Sequence, residues 1–247
     1  MKSPEAWTPT KFVATPGGLR ASRDARYVGL GSRLVTDLLA PVYERALRTF
    51  ARGVLVDLGC ARAPLYGVYH ALVQDVVCID RAEPAEGPCH LDGVADLERG
   101  IPLPDGTADT VLLTDVLMYV ARPERLFGEI VRVLRPGGRA IVGAPFLYWV
   151  VDEHDRHRHT GTELRRLCEQ AGLAVESQET YGGAPEVLSD LVAKLLAPRP
   201  RVARVFLAAA ERLLAHRRVR ALSHNTRAGF PLGYCTVARK PAPGGAA

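Results

Sequence analysis

The stretch Val54-Leu55-Val56-Asp57-Leu58-Gly59-Cys60-Ala61-Arg62-Ala63 decides how this chain is read. Three successive apolar residues, too few for a helix and closing on Asp-Leu-Gly, predict a strand buried on both faces that feeds a tight turn. Working downstream, the spacing predicts a helix over 64–73. Val76-Val77-Cys78-Ile79 then forms a second apolar run, ending on Asp80 with Arg81 beside it, 23 residues after Asp57. A Pro/Gly-rich connection follows, and Thr110-Val111-Leu112-Leu113-Thr114 predicts a third buried strand. Pro123 and Glu124 open a helix carried by Leu126, Phe127, Ile130, Val131 and Leu134 at helical spacing, which Pro136-Gly137-Gly138 stops. Ala140-Ile141-Val142-Gly143 is the next strand. Strands alternating with helices across short turns imply right-handed βαβ units, so the fold class is α/β, a doubly wound, mostly parallel sheet.

Outside that core, residues 1–30 are rich in Pro, Gly, Thr and Arg without sustained periodicity and read as an irregular N-terminal arm. Leu34, Leu38, Val42 and Leu47 predict an amphipathic helix over 32–50. Thr160 and Glu163 form a capping-box pair opening a helix to about Gln170, before a strand at Leu173-Ala174-Val175-Glu176. Residues 185–222 are expected to be mostly helical, Tyr234-Cys235-Thr236-Val237-Ala238 is a late strand, and a flexible tail follows. We find no repeat and no linker, so the expectation is one domain. Its parts are an arm or lid (1–50), a core (51–180), a helical insert (181–228), a last strand (229–240) and the tail (241–247).

Composition narrows the function classes. The chain has 247 residues, 47% hydrophobic and 24% charged, enough to bury a sizeable core. Its net charge is +5, with a pI near 9.1. That excess is modest and looks spread along the chain, which argues against a nucleic-acid partner. Cys60, Cys78, Cys89, Cys168 and Cys235 are odd in number and contain no C-x-x-C pair, so reduced thiols are expected rather than a disulfide framework or zinc knuckle. No signal-peptide pattern and no apolar run of about 20 residues is present, so a cytoplasmic protein is expected.

The chemistry-bearing pattern is Asp57-Leu58-Gly59 at one strand end and Asp80 at the next. A strand-end glycine lets backbone approach a ligand, and a carboxylate on the following strand can accept the hydroxyl protons of a ribose. The signature is shared by nucleoside-cofactor folds. A nicotinamide enzyme would add glycines in G-x-G-x-x-G spacing, absent here at Ala61 and near Pro64.

Four blocks in order, VLVDLGCARAPLY (54–66), VVCIDRAE (76–83), DLERGIPLPDGTADTVLLTDVLMYV (96–120) and RVLRPGGRAIVGAPF (132–146), resemble class I S-adenosylmethionine-dependent methyltransferases of type 11. EHDRHRHTGTELRRLCEQAGL (153–173) and PLGYCTVARK (231–240) also look like members associated with glycan or natural-product methylation. The resemblance implies S-adenosylmethionine as cofactor. It makes the Gly59-Cys60-Ala61 turn, beside Asp57, the floor under its methionine part, Asp80 with Arg81 the ribose side, Asp96-Leu97 the adenine edge, and Thr114-Asp115 the wall near the sulfonium. Structural alternatives exist: Asp57 could fix the turn backbone, Asp96 cap a turn and Asp115 cap a helix. Two departures stand out. Ala61 and Ala63 replace common glycines, which alanine tolerates if φ stays negative, and Leu117-Met118-Tyr119 replaces a frequent Glu-His pair. The implied activity is methyl transfer to a small-molecule, natural-product or glycan acceptor, the alternative being a catalytically degenerate binding scaffold.

A general base is needed only for acceptors such as hydroxyls. Asp152-Glu153-His154-Asp155-Arg156-His157-Arg158-His159 supplies the candidates: His154 to accept the proton and Asp155 to orient it, with a solvated loop as the alternative. The spacing matches no compact metal motif, so no metal is expected. Arg201, Arg204, Arg212, Arg217, Arg218 and Arg220 flank Val202, Val205, Phe206, Ala209 and Leu213. This pattern describes either a pocket lid with its arginines in water or a peripheral contact with an anionic membrane or acidic acceptor. Oligomeric state is not legible.

Overall fold

The computed structural model describes residues 1–81 and 90–242. Residues 82–89 of the Pro/Gly-rich connection expected after Asp80, Cys89 among them, and the end of the expected tail lie outside the described residues. The elements in chain order are β1 (Phe12–Thr15), β2 (Gly18–Ala21), α1 (Arg33–Phe50), β3 (Val54–Leu58), α2 (Tyr66–Tyr69), β4 (Asp75–Asp80), β5 (Gly93–Val94), β6 (Ala108–Thr114), α3 (Pro123–Val133), β7 (Leu134–Pro145), α4 (Gly161–Gln170), β8 (Ala174–Tyr181), α5 (Ala184–Leu196), α6 (Pro200–Ala215), α7 (Arg217–Thr226) and β9 (Gly233–Arg239).

Seven strands form one sheet in the order β5-β4-β3-β6-β7-β9-β8. The pairs from β5 to β7 are parallel, and β9 inserts antiparallel between β7 and β8. Order reverses between β3 and β6, so the crevice beyond the carboxyl ends of β3, β4 and β6 is where a doubly wound sheet receives a ligand. Period-two alternation splits the apolar residues between two cores. Leu55, Leu112, Ile141 and Val237 pack with α1, while Val56, Val111, Leu113 and Val142 pack with Phe127, Ile130 and Leu164 from α3 and α4.

Three expectations need correction. The arm contains a β1–β2 hairpin, in register Phe12↔Ala21 to Thr15↔Gly18. It is held to α1 by the Leu19 N–H donating to Glu44 at 2.7 Å and the Ala21 N–H donating to Asp37 at 3.0 Å. The helix expected over 64–73 is one turn, because Tyr66, Gly67, Val68, Tyr69 and His70 all have weak helix propensity and the Trp7 ring lies against Gly67, where a Cβ would be crowded. Finally, Pro136-Gly137-Gly138 ends α3 but does not separate it from a later strand. β7 starts at Leu134 and runs through the three residues, whose slack appears as a register shift opposite Ala108 and Thr110. Elsewhere the periodicity reads well: the Thr160 hydroxyl accepts from the Glu163 N–H at 3.1 Å, capping α4. The four described cysteines, Cys60, Cys78, Cys168 and Cys235, are free and buried.

Candidate cofactor and acceptor site

The turn after β3 is built from left-handed backbone. Gly59 has φ 69°, and both alanines follow it there, Ala61 at 48° and Ala63 at 46°. The condition under which alanine is tolerated without cost, a negative φ, is therefore not met. Closing the turn requires what glycine supplies freely, and each alanine carries a steric cost of about 1–2 kcal/mol. Gly59 itself is irreplaceable, since a Cβ would overlap the Val116 side chain. The turn is anchored by Gly59 N–H donating to the Ile79 carbonyl at 2.7 Å, by Ala61 N–H donating to Asp80 Oδ2 at 2.7 Å and by the Trp7 indole donating to the Ala63 carbonyl at 3.0 Å.

A cavity of about 420 Å3 opens above this turn, within the roughly 300–1,000 Å3 usual for small-molecule sites. Asp57, Gly59, Cys60, Ala61, Asp80, Arg81, Asp96, Leu97, Thr114 and Asp115 all border it, as does His154. Asp57 is buried, accepts from the Tyr69 hydroxyl at 2.8 Å, and is pushed up to about 7 by its burial, against which that hydrogen bond acts. Hydrogen bonding with Cys78 and then burial push the Cys60 thiol up, so it is no nucleophile. Asp80 Oδ1 accepts the Arg81 N–H at 2.6 Å, which leaves each carboxylate oxygen a further lone pair. Asp96 does cap a turn, accepting from the Glu98 N–H at 3.1 Å, while also bordering the cavity.

Asp115 does not cap a helix. In left-handed backbone at φ 58°, its carboxylate takes the Lys11 ammonium at 2.8 Å and the Tyr43 hydroxyl at 3.2 Å. Lys11 comes from the arm and Tyr43 from α1, and neither was legible as a site residue; only the Pro16-Gly17 turn signal ahead of Leu19 hinted that the arm is ordered. Lys11, Asp115 and Tyr119 also border a second cavity, of about 270 Å3, whose other walls include Tyr27, Ser32, Thr36, Tyr148 and Tyr181. Burial first, and Asp152 next, push the Tyr119 phenol up to about 12, keeping it a neutral donor.

The acid-base segment comes apart. His154 borders the first cavity, half exposed, with its backbone N–H donating to Asp152 Oδ1 at 2.8 Å. Asp155 does not orient it: that carboxylate accepts from Arg158 Nη2 at 2.6 Å and from the Val151 N–H at 2.9 Å, and the Arg158 hydrogen bonds hold it below the usual carboxylate range. His159 is buried and lowered by desolvation. Among the described residues no group of three or more His, Cys, Asp or Glu could hold a metal ion.

Residues 56–142 match the family model described as a methyltransferase domain, Methyltransf_11. Over those residues, about a third of the chain, it is similar to the class I methyltransferase domain, a family whose cofactor is S-adenosylmethionine. The chain is 32% identical over 119 residues to the ubiquinone/menaquinone biosynthesis C-methyltransferase UbiE of Roseobacter denitrificans, covering 46% of this chain and 47% of that one. It is 39% identical over 62 residues to an uncharacterized methyltransferase of Mycobacterium ulcerans, 24% of each chain. The matches thus span less than half the length of these curated relatives. The solved structure of an S-adenosylmethionine-dependent methyltransferase from Archaeoglobus fulgidus is similar in fold, with a TM-score of 0.53 at 18% identity, over 81% of this chain and 90% of that one.

The alanine turn is testable by reversal. Ala61 is exposed, so Ala61→Gly relieves its strain and loses little else. After the added chain entropy of glycine, a gain of about 0.5–1 kcal/mol is expected, or a rise in Tm of roughly 2 °C by differential scanning calorimetry. Ala63 is fully buried, so Ala63→Gly also forfeits a packed methyl worth about 0.8 kcal/mol and should leave Tm nearly unchanged. Loss of stability in Ala61→Gly would contradict the strained turn.

Proposed function

We propose that this chain transfers a methyl group from S-adenosylmethionine to a small-molecule, natural-product or glycan acceptor, with the acceptor in the second cavity. One observation carries the reading: the two cavities share Lys11, Asp115 and Tyr119, so ligands in them would meet across those residues. The donor set suits the cofactor: a carboxylate with spare lone pairs at Asp80, an apolar edge at Leu97 and Val120, and a turn whose Gly59 leaves room for close approach. When bound, S-adenosylmethionine supplies an electrophilic methyl group and a neutral leaving group. The protein's part is to orient and desolvate. Asp115, fixed by Lys11 and Tyr43, and the neutral Tyr119 hydroxyl hold the acceptor's nucleophilic atom at the junction. His154, at the solvent edge, takes its proton where the acceptor is a hydroxyl, and Asp155 serves as a positioning residue, fixing the 151–158 segment through Arg158.

The test is calorimetric titration of the full chain with S-adenosylmethionine and S-adenosylhomocysteine, followed by transfer of labelled methyl to panels of hydroxylated small molecules and glycans. Absence of binding would sink the reading. Binding without transfer would favour the scaffold alternative, which the two left-handed alanines support. Lys11→Met is expected to lower methyl transfer at least about tenfold, the loss of one charge-assisted bond, while S-adenosylhomocysteine affinity stays within about threefold.

A further inference from the structure

The basic excess of this chain is not spread evenly. Residues 184–228, which form α5 to α7, carry nine Lys and Arg against three Asp and Glu, a net of +6 against +5 for the whole chain. Two of those acids and the lysine face inward: Glu186 is buried, and Lys194 and Asp190 form a buried ion pair. Arg201, Arg204, Arg212, Arg217, Arg218 and Arg220 are exposed and belong to no ion pair among the described residues. Around the sheet, by contrast, Arg48, Arg132, Arg135, Arg139 and Arg166 are all paired with carboxylates.

The same helices expose apolar residues in order. α5 buries Val187, Asp190, Ala193 and Lys194 on one side and turns Leu188, Leu191, Val192 and Leu195 outward at i, i+3, i+4 and i+7, Leu188 being 64% and Leu195 75% exposed. An apolar stripe at this spacing is one that a surface helix ordinarily turns toward a covering layer. On α6, Val202 and Val205 are exposed between Arg201 and Arg212, and Leu213 is exposed just after Arg212. The exposed Trp149-Val150-Val151 run lies beside α5, with the Lys194 Nζ 4.2 Å from the Tyr148 ring centre and 5.8 Å from that of Trp149.

We propose that the α5–α7 face, with Trp149–Val151, docks on an anionic lipid bilayer. Unpaired arginines attract lipid phosphates while their stems lie along apolar surface, the leucines and valines enter the acyl boundary, and Trp149 suits the headgroup level. A second copy of the chain is the poorer occupant, because a two-fold contact would set these arginines against themselves. A nucleic acid would use the charge but leave the α5 stripe uncovered. The inference is independent of methyl transfer.

The experiment is co-sedimentation of the full chain with vesicles of phosphatidylcholine alone or mixed with phosphatidylglycerol. Binding to the anionic vesicles only, weakened by salt, is expected. Arg217→Gln, Arg218→Gln and Arg220→Gln should each lower partitioning about fivefold. Leu188→Ser with Leu195→Ser should lower it at least about tenfold, with Tm unchanged because both side chains are exposed. Equal partitioning into both vesicle types, or none, overturns the proposal. So does binding that ignores the leucine pair and is competed away by duplex DNA, or a concentration-dependent dimer lost in the leucine variant without vesicle binding.

Discussion

Asp80→Ala is expected to weaken S-adenosylhomocysteine binding by on the order of a hundredfold or more in calorimetric titration. Both carboxylate oxygens are held in place by backbone, Oδ2 by the Ala61 N–H and Oδ1 by the Arg81 N–H, so the acid is preorganised at the cavity wall. Two charge-assisted bonds to a ribose, at about 1.5–3 kcal/mol each, account for that loss. Asp80→Asn keeps one acceptor oxygen and should fall between. The alanine also releases the Ala61 N–H, so the thermal midpoint must be read alongside. An affinity within threefold of wild type, with the fold intact, would remove Asp80 from the cofactor reading.

Asp57→Asn is the second large effect, and it is a stability effect with a defined pH window. Burial raises the folded-state value of Asp57 to about 7 from the ordinary 3.8 of an aspartate. Below pH 4 both states are protonated and the group costs nothing. Between 4 and 7 the unfolded chain ionises while the folded chain holds its proton, so the unfolded state binds fewer protons and stability falls as pH rises. Above 7 the penalty levels off at on the order of a few kcal/mol. Asparagine mimics the protonated acid without titrating. Asp57→Asn should therefore match wild type in urea unfolding near pH 4 and exceed it by that few kcal/mol at pH 8. Parallel stability curves for the two proteins across this range would contradict it.

The core of the fold was legible because buried parallel strands announce themselves as short apolar runs, and Val54–Val56, Val76–Ile79 and Thr110–Thr114 are such runs bounded by Asp and Gly. The misses share a cause. Phe12–Ala21 makes strands of four residues each, too short for periodicity to register, and its order comes from Glu44 and Asp37 on α1. The helix over 64–73 shrank because helix propensity there is weak and Trp7, more than fifty residues away in sequence, takes the space above Gly67. Asp155 was placed with His154 because they are adjacent in sequence, yet adjacent side chains need not meet, and Arg158 three residues on claimed the carboxylate.

By itself the sequence determined the class of sheet, the glycine turn we propose as the cofactor floor and the acids at the strand ends, because these depend on local runs of residues and on the fixed position of the switch point. Only the tertiary structure decided how those groups are held. It put Ala61 and Ala63 in left-handed backbone, since the closure of the turn onto Asp80 and Trp7 sets φ. It brought Lys11 and Tyr43 to Asp115 across the molecule, joining two cavities through one carboxylate. And it gathered a charge excess that looked diffuse along the chain into one packed group of helices, α5 to α7, whose exposed Arg201, Arg204, Arg212, Arg217, Arg218 and Arg220 belong to no ion pair among the described residues.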